Sequence, residues 1–147
     1  MELHNDLKAL AVSAKNNESM YDRAGVDVSF LEAFPNPFKV NNPSQGSGTV
    51  RIVAPEFTSL CPLTGFPDYA KIIVEYEPDE LCLESKSWKL YLNSYRHHGE
   101  FHEACCNRMM NDLVLLLSPK WIRVVGEFMP RGGIEFWPTA YWKKSLA

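Results

Sequence analysis

The chain has 147 residues, a formal net charge of −3, 46% hydrophobic and 22% charged residues, the make-up of one globular domain with a full hydrophobic core. Its negative balance disfavours binding to nucleic-acid backbones, no apolar run approaches the ~20 residues of a membrane span, and Glu2, Asp6 and Lys8 leave no signal-peptide core. The four cysteines, Cys61, Cys82, Cys105 and Cys106, form no Cys-x-x-Cys pair, so a reduced, cytoplasmic compartment is the expectation.

Residues 1–47 read as an irregular N-terminal segment. They carry Pro35, Pro37 and Pro43, and the run Ser44-Gln45-Gly46-Ser47-Gly48 closes the segment as a flexible connection. Residues 48–147 read as a single folded domain. Val50, Ile52 and Ala54 alternate with polar neighbours, as do Ala70, Ile72, Val74 and Tyr76, which predicts two strands around a turn-rich piece at 61–68. Past Pro78 the period becomes helical: Trp88, Tyr91, Leu92 and Tyr95 fall on one face. A second helix follows, with Cys105, Cys106, Met109, Met110, Leu113, Leu116 and Leu117 on its apolar side, and Ser118-Pro119 stops it. Two further strands are predicted at 122–128 and 134–137, joined by Pro130-Arg131-Gly132-Gly133.

The predicted order is β-β-α-α-β-β, an α+β fold in which an antiparallel four-stranded sheet carries two helices on one face. Such a sheet has two exposed edges, and a barrel closed from several copies removes them. A ring-shaped homo-oligomer is therefore expected.

At the start of the first helix stands Glu84-Ser85-Lys86-Ser87-Trp88-Lys89-Leu90-Tyr91. A serine there can cap the first turn, and free N–H groups, the helix dipole and two ammonium groups suit an anion such as a phosphate. The plainer alternative is a surface helix with lysines on its wet side, which binds nothing.

These residues resemble a known family, the NADPH-dependent 7-cyano-7-deazaguanine reductases, which are the nitrile reductases of queuosine biosynthesis and have the tunnelling fold. Residues 84–91 match every place of that family's signature: Glu, Ser or Leu, Lys, Ser or Ala, any residue, Lys, then two apolar or aromatic positions. Cys61 is followed seven residues later by Asp68, Phe101-His102-Glu103 is present, and so is the Pro-Arg-Gly-Gly turn. Phe66 departs from the pattern, which has an amide-bearing Gln before Pro-Asp.

The resemblance implies a catalytic set of Cys61, Asp68 and His102. A nitrile is a poor hydride acceptor, and addition of a thiolate turns it into a thioimide, a better electrophile. Cys61 is the implied nucleophile, Asp68 the proton shuttle, and His102 a donor of a later proton. Glu103 is suited to the adjacent N–H and NH₂ donors of a guanine-like base. The resemblance adds Leu83, Glu84 and Ser85 as substrate contacts beside His102 and Glu103. The cofactor is NADPH, yet none of the eight glycines falls into G-x-G-x-x-G, so Lys86, Lys89, Arg131 and Gly132 are the candidates to hold it. The substrate is a free base, with no direct nucleic-acid or membrane partner and no metal. Cys105, close beyond Glu103, is a candidate for reversible oxidative pairing with Cys61.

Two other functions stay open. Tunnelling-fold relatives include zinc cyclohydrolases, and Cys61, His97, His98, His102 and Cys105 are metal-ligand types, though without a conventional zinc spacing. A non-catalytic purine- or pterin-binding ring is the other.

Overall fold

The structure is a computed structural model, which describes residues 25–38 and 47–146. After a 3-10 turn at Val28–Phe30 come β1 (Ala33–Pro35), β2 (Val50–Leu60), β3 (Pro67–Glu77), β4 (Leu81–Leu83), α1 (Ser85–Asn93), α2 (His102–Leu117), β5 (Trp121–Phe128) and β6 (Thr139–Lys143). The main sheet is antiparallel with the order β2-β3-β5-β6, and β1 pairs with β4 in a small second sheet. The expected β-β-α-α-β-β order is present, with β2 and β6 as the two edges.

Strand alternation decides which face is covered. Ala70, Ile72, Val74 and Tyr76 of β3 and Ile122, Val124 and Phe128 of β5 are buried beneath the helices. Phe57 of β2 meets Tyr95 edge-on at 5.3 Å and Phe128 at 6.3 Å, geometry that aromatic quadrupoles favour. Gly126 lets α2 come close, because a Cβ there would lie 2.8 Å from Cys106 Sγ and 2.7 Å from the Phe128 ring. The opposite face carries charge. Arg51 and Arg123 both reach Glu75 from the strands on either side, and Lys71 lies 2.6 Å from Glu127.

Three expectations need correction. The last strand is Thr139–Lys143, not 134–137. Ile134 and Phe136 alternate as a strand would, but both are exposed, whereas Ala140 and Trp142 pack on the core. The N-terminal segment is not irregular throughout, since β1 pairs with β4, Leu31 is buried, and Glu32 N–H bonds Ser87 Oγ at 3.0 Å. Most of the expected connection at 44–48 lies outside the described residues.

The third concerns the start of α1. Its cap is the Glu84 carboxylate, which accepts from Lys86 N at 2.9 Å and Ser87 N at 2.7 Å, rather than either serine. Those two bonds hold the Glu84 carboxyl below its usual range. The helix mouth expected to receive a phosphate is thus filled by the chain's own anion. Ser87 instead donates to the Glu84 and Glu32 carbonyls.

Candidate active site

Cys61 follows the last residue of β2, in a turn closed by Cys61 N–H to Phe66 O at 2.8 Å and Gly65 N–H to Cys61 O at 2.9 Å. Gly65 takes φ +71°, a left-handed conformation natural to glycine. The Thr64 side chain, then the backbone N–H groups of Thr64 and Leu63, hydrogen-bond the sulfur, with a smaller contribution from Arg131. Together they lower its pKa from the ordinary thiol range to about 6. Donors aimed at an acceptor favour its charged form, so Cys61 is a thiolate at neutral pH.

Cys105 and Cys106 are the reverse: burial pushes both thiols up to about 12. All four cysteines are free.

β3 begins just beyond the turn and carries Asp68 on its inner face, 4% exposed. One Asp68 oxygen receives the Arg131 guanidinium. The other lies 3.2 Å from His102 Nε2. His102 opens α2 and stacks on Phe128, with ring centroids 3.8 Å apart. Burial lowers its pKa, with Glu103 opposing, so the imidazole is neutral at pH 7.

Cys61, Asp68, His102, Glu103 and Arg131 line one cavity of about 240 Å³, walled by apolar groups including Phe101, Ile134 and Phe136. That is below the ~300–1,000 Å³ of pockets for drug-sized ligands and suits one fused-ring base. The expected catalytic trio therefore converges, with Glu103 beside it. Leu83, Glu84 and Ser85 do not line this cavity: Leu83 is buried against Tyr76, and Glu84 caps α1.

The candidate cofactor cations separate. Arg131 is in the cavity. Lys89 instead lines a groove of about 530 Å³ between α1 and the edge strand β2, together with Ser85 and Arg96. Arg131 keeps a half-exposed side chain, and Gly132, at φ +57°, has open space around it. A cation next to an unobstructed backbone fits a dinucleotide phosphate.

Sequence reasoning missed Thr64, although a hydroxyl three residues after a reactive cysteine is a readable signal. It also missed Glu100, which lines the same cavity. Among the described residues, no three His, Cys, Asp or Glu side chains are arranged to hold a metal ion. No helix among them is long and apolar enough to cross a membrane.

The family model described as QueF-like protein matches residues 67–145. The NADPH-dependent 7-cyano-7-deazaguanine reductase of Neisseria gonorrhoeae (strain NCCP11945) is 45% identical over 141 residues, which cover 96% of this chain and 87% of that protein. The protein of the same description from Streptococcus thermophilus (strain ATCC BAA-491 / LMD-9) is 58% identical over 108 residues, 74% of this chain and 63% of that protein. Among solved structures, the archaeosine synthase QueF-Like in its apo form superposes with a TM-score of 0.61 at 22% identity, covering 67% of this chain and 96% of that one. At that identity the likeness speaks for the fold alone.

Proposed function

The chain belongs to the QueF-like protein family, and from that premise we infer that it is an NADPH-dependent 7-cyano-7-deazaguanine reductase, an enzyme of queuosine biosynthesis. The nitrile becomes a primary amine, a four-electron reduction that consumes two NADPH. The observation that carries the mechanism is the depressed Cys61 thiol in one cavity with the Asp68–His102 pair.

The Cys61 thiolate adds to the nitrile carbon, and one of the C–N π bonds breaks as the C–S bond forms. The nitrogen takes a proton as charge develops on it, which yields the thioimide. Asp68 and His102 act as one relay, which takes up the proton that leaves the Cys61 thiol and delivers it to the nitrogen, so that thiol and nitrile give the thioimide with no proton gained or lost. Glu103, at the cavity wall, accepts the ring N–H and exocyclic NH₂ of the base and sets its orientation.

NADPH supplies hydride when bound. Arg131 and Gly132 would hold its anionic part near the cavity, and Lys86 and Lys89 supply further positive charge. Leu83, Glu84 and Ser85 lie away from this chain's own cavity, so as substrate contacts they would act across a subunit boundary. The edges β2 and β6, which carry no further strand of the main sheet among the described residues, support a barrel closed from several copies. The cytoplasm, the free base as substrate and the absence of a nucleic-acid partner complete the reading.

The test is NADPH oxidation with and without the nitrile base, together with intact-protein mass spectrometry without NADPH. Two NADPH per nitrile and an adduct of the base's mass on Cys61 are expected. Base-independent oxidation, or an adduct that survives Cys61→Ala, overturns the reading.

A further inference from the structure

At the end of β2, Leu60 forms an isolated parallel bridge with Gly99. Leu60 N–H bonds His98 O at 3.0 Å, and Glu100 N–H bonds Leu60 O at 3.1 Å. One side of this bridge runs directly into Cys61, the other into Phe101, His102 and Glu103. The approach is close: a Cβ on Gly99 would lie 3.3 Å from the Pro62 backbone Cα, tighter than ordinary contact. Two hydrogen bonds alone are a weak fixture, and here a charged cluster supports them. The Glu100 carboxylate receives Arg108 Nη2 at 2.7 Å and Arg108 Nε at 3.2 and 3.1 Å, with His98 Nε2 at 3.1 Å. The Glu100 side chain is 14% exposed and that of Arg108 45%, so the pair sits at the rim with its carboxylate inside, and the fork gives it a fixed geometry. Burial alone would raise the Glu100 carboxyl, and the Arg108 and His98 contacts outweigh it. Arg108 stands on α2, whose first turn carries His102 and Glu103.

We propose that Arg108, acting through Glu100, is a positioning residue that clamps the 98–100 segment onto the nucleophile turn and fixes the distance from Cys61 to the His102–Glu103 arm. This rests on the nitrile-reductase reading. The thiolate is made by donors within its own turn and the base is held by Glu103, so loss of the clamp leaves both intact and misaligns them. Small misplacements of reacting groups cost up to ~100-fold in rate.

The experiment follows three quantities in the full-length protein: the rate of thioimide formation under single turnover, the affinity for the base in a Cys61→Ala background, and the pH midpoint of Cys61 alkylation by iodoacetamide. Arg108→Leu should slow thioimide formation at least ~10-fold, keep base affinity within about twofold and leave the alkylation midpoint unmoved. Arg108→Lys should recover part of the rate, because it restores charge without the fork. Gly99→Ala approaches the same clamp from the other side and should show the same split. Unchanged thioimide formation in both Arg108→Leu and Gly99→Ala overturns the proposal. So does a parallel fall in rate, affinity and thiolate formation, which marks a general loss of structure. A parent protein that forms no adduct at all overturns the underlying functional reading, and the clamp's catalytic role with it.

Discussion

His102 Nε2 stands 3.2 Å from Asp68 Oδ2, and this contact joins the first residue of α2 to the inner face of β3. With the Arg131 guanidinium on the other oxygen, the carboxylate is fixed from two sides, and stacking on Phe128 fixes the imidazole plane. Asp68→Asn keeps the shape and removes the charge that shares the proton. Thioimide formation should fall ~100- to 10,000-fold, the usual worth of a positioned proton carrier, while iodoacetamide still finds a reactive Cys61. An Asn variant with the parent rate would remove Asp68 from the chemistry.

The lowered Cys61 pKa gives a pH dependence of definite sign. Alkylation of Cys61 should rise with pH through about 6 and level off above it. The folded thiol ionises more readily than the unfolded one, so this group's contribution to stability is fully present above the unfolded pKa of ~8.5 and is lost as pH falls through about 6. Thr64 is the largest cause of the shift. Thr64→Val should therefore move the alkylation midpoint upward. A midpoint that stays at the parent value would assign the effect to the backbone donors alone.

Arg131 and Lys89 should separate by measurement. Lys89→Ala removes a cation from the groove beside β2 and is expected to raise the Michaelis constant for NADPH while thioimide formation stays intact. Arg131→Ala should do both: weaken NADPH use and slow thioimide formation, since Arg131 also holds Asp68 and donates to Cys61. Equal adduct rates in the two variants would confine Arg131 to the cofactor.

Glu103→Gln places a donor against the donors of the base. Unpaired polar groups at such a site cost about 1–3 kcal/mol, so equilibrium binding should weaken roughly 5- to 150-fold. Titration calorimetry on the Cys61→Ala background reads this without the covalent step.

Glu84→Ala should destabilise the fold by about 1 kcal/mol through loss of the α1 cap, as followed by urea denaturation. The Glu84 carboxyl lies below its ordinary value in the folded state. Its contribution is therefore present above the unfolded carboxylate pKa and disappears as pH falls through the lowered one.

Much of this was legible in residues alone. Strands with a strict period of two, such as Ile72, Val74 and Tyr76, and the long apolar face of α2 identified themselves, because burial on one side imposes those periods. The last strand misled because Ile134 and Phe136 are apolar for another reason: they wall the cavity. Serine is the commoner cap, so the Glu84 cap was invisible until its carboxylate was seen folded back over the first turn. Cys61, Asp68, His102 and Glu103 were readable as residue types in order. The acidity of the thiol was not, since it depends on a turn that aims the Thr64 side chain and then two backbone N–H groups at the sulfur. The Arg108–Glu100 pairing spans a loop and a helix and follows no helical spacing.

The Leu60–Gly99 bridge joins segments far apart in sequence, whereas the turn bearing Cys61 closes a hairpin between adjacent strands. Local contacts form ahead of distant ones during folding, so a growing or refolding chain acquires its acidic thiol before it acquires the cover. The folded protein leaves Cys61 only 8% exposed, and its period of greatest danger from electrophiles and oxidants is the interval before α2 docks. A brief pulse of iodoacetamide early in refolding should modify Cys61 far faster than the same pulse applied to the native protein, and the damage would be carried into a correctly shaped but inert molecule.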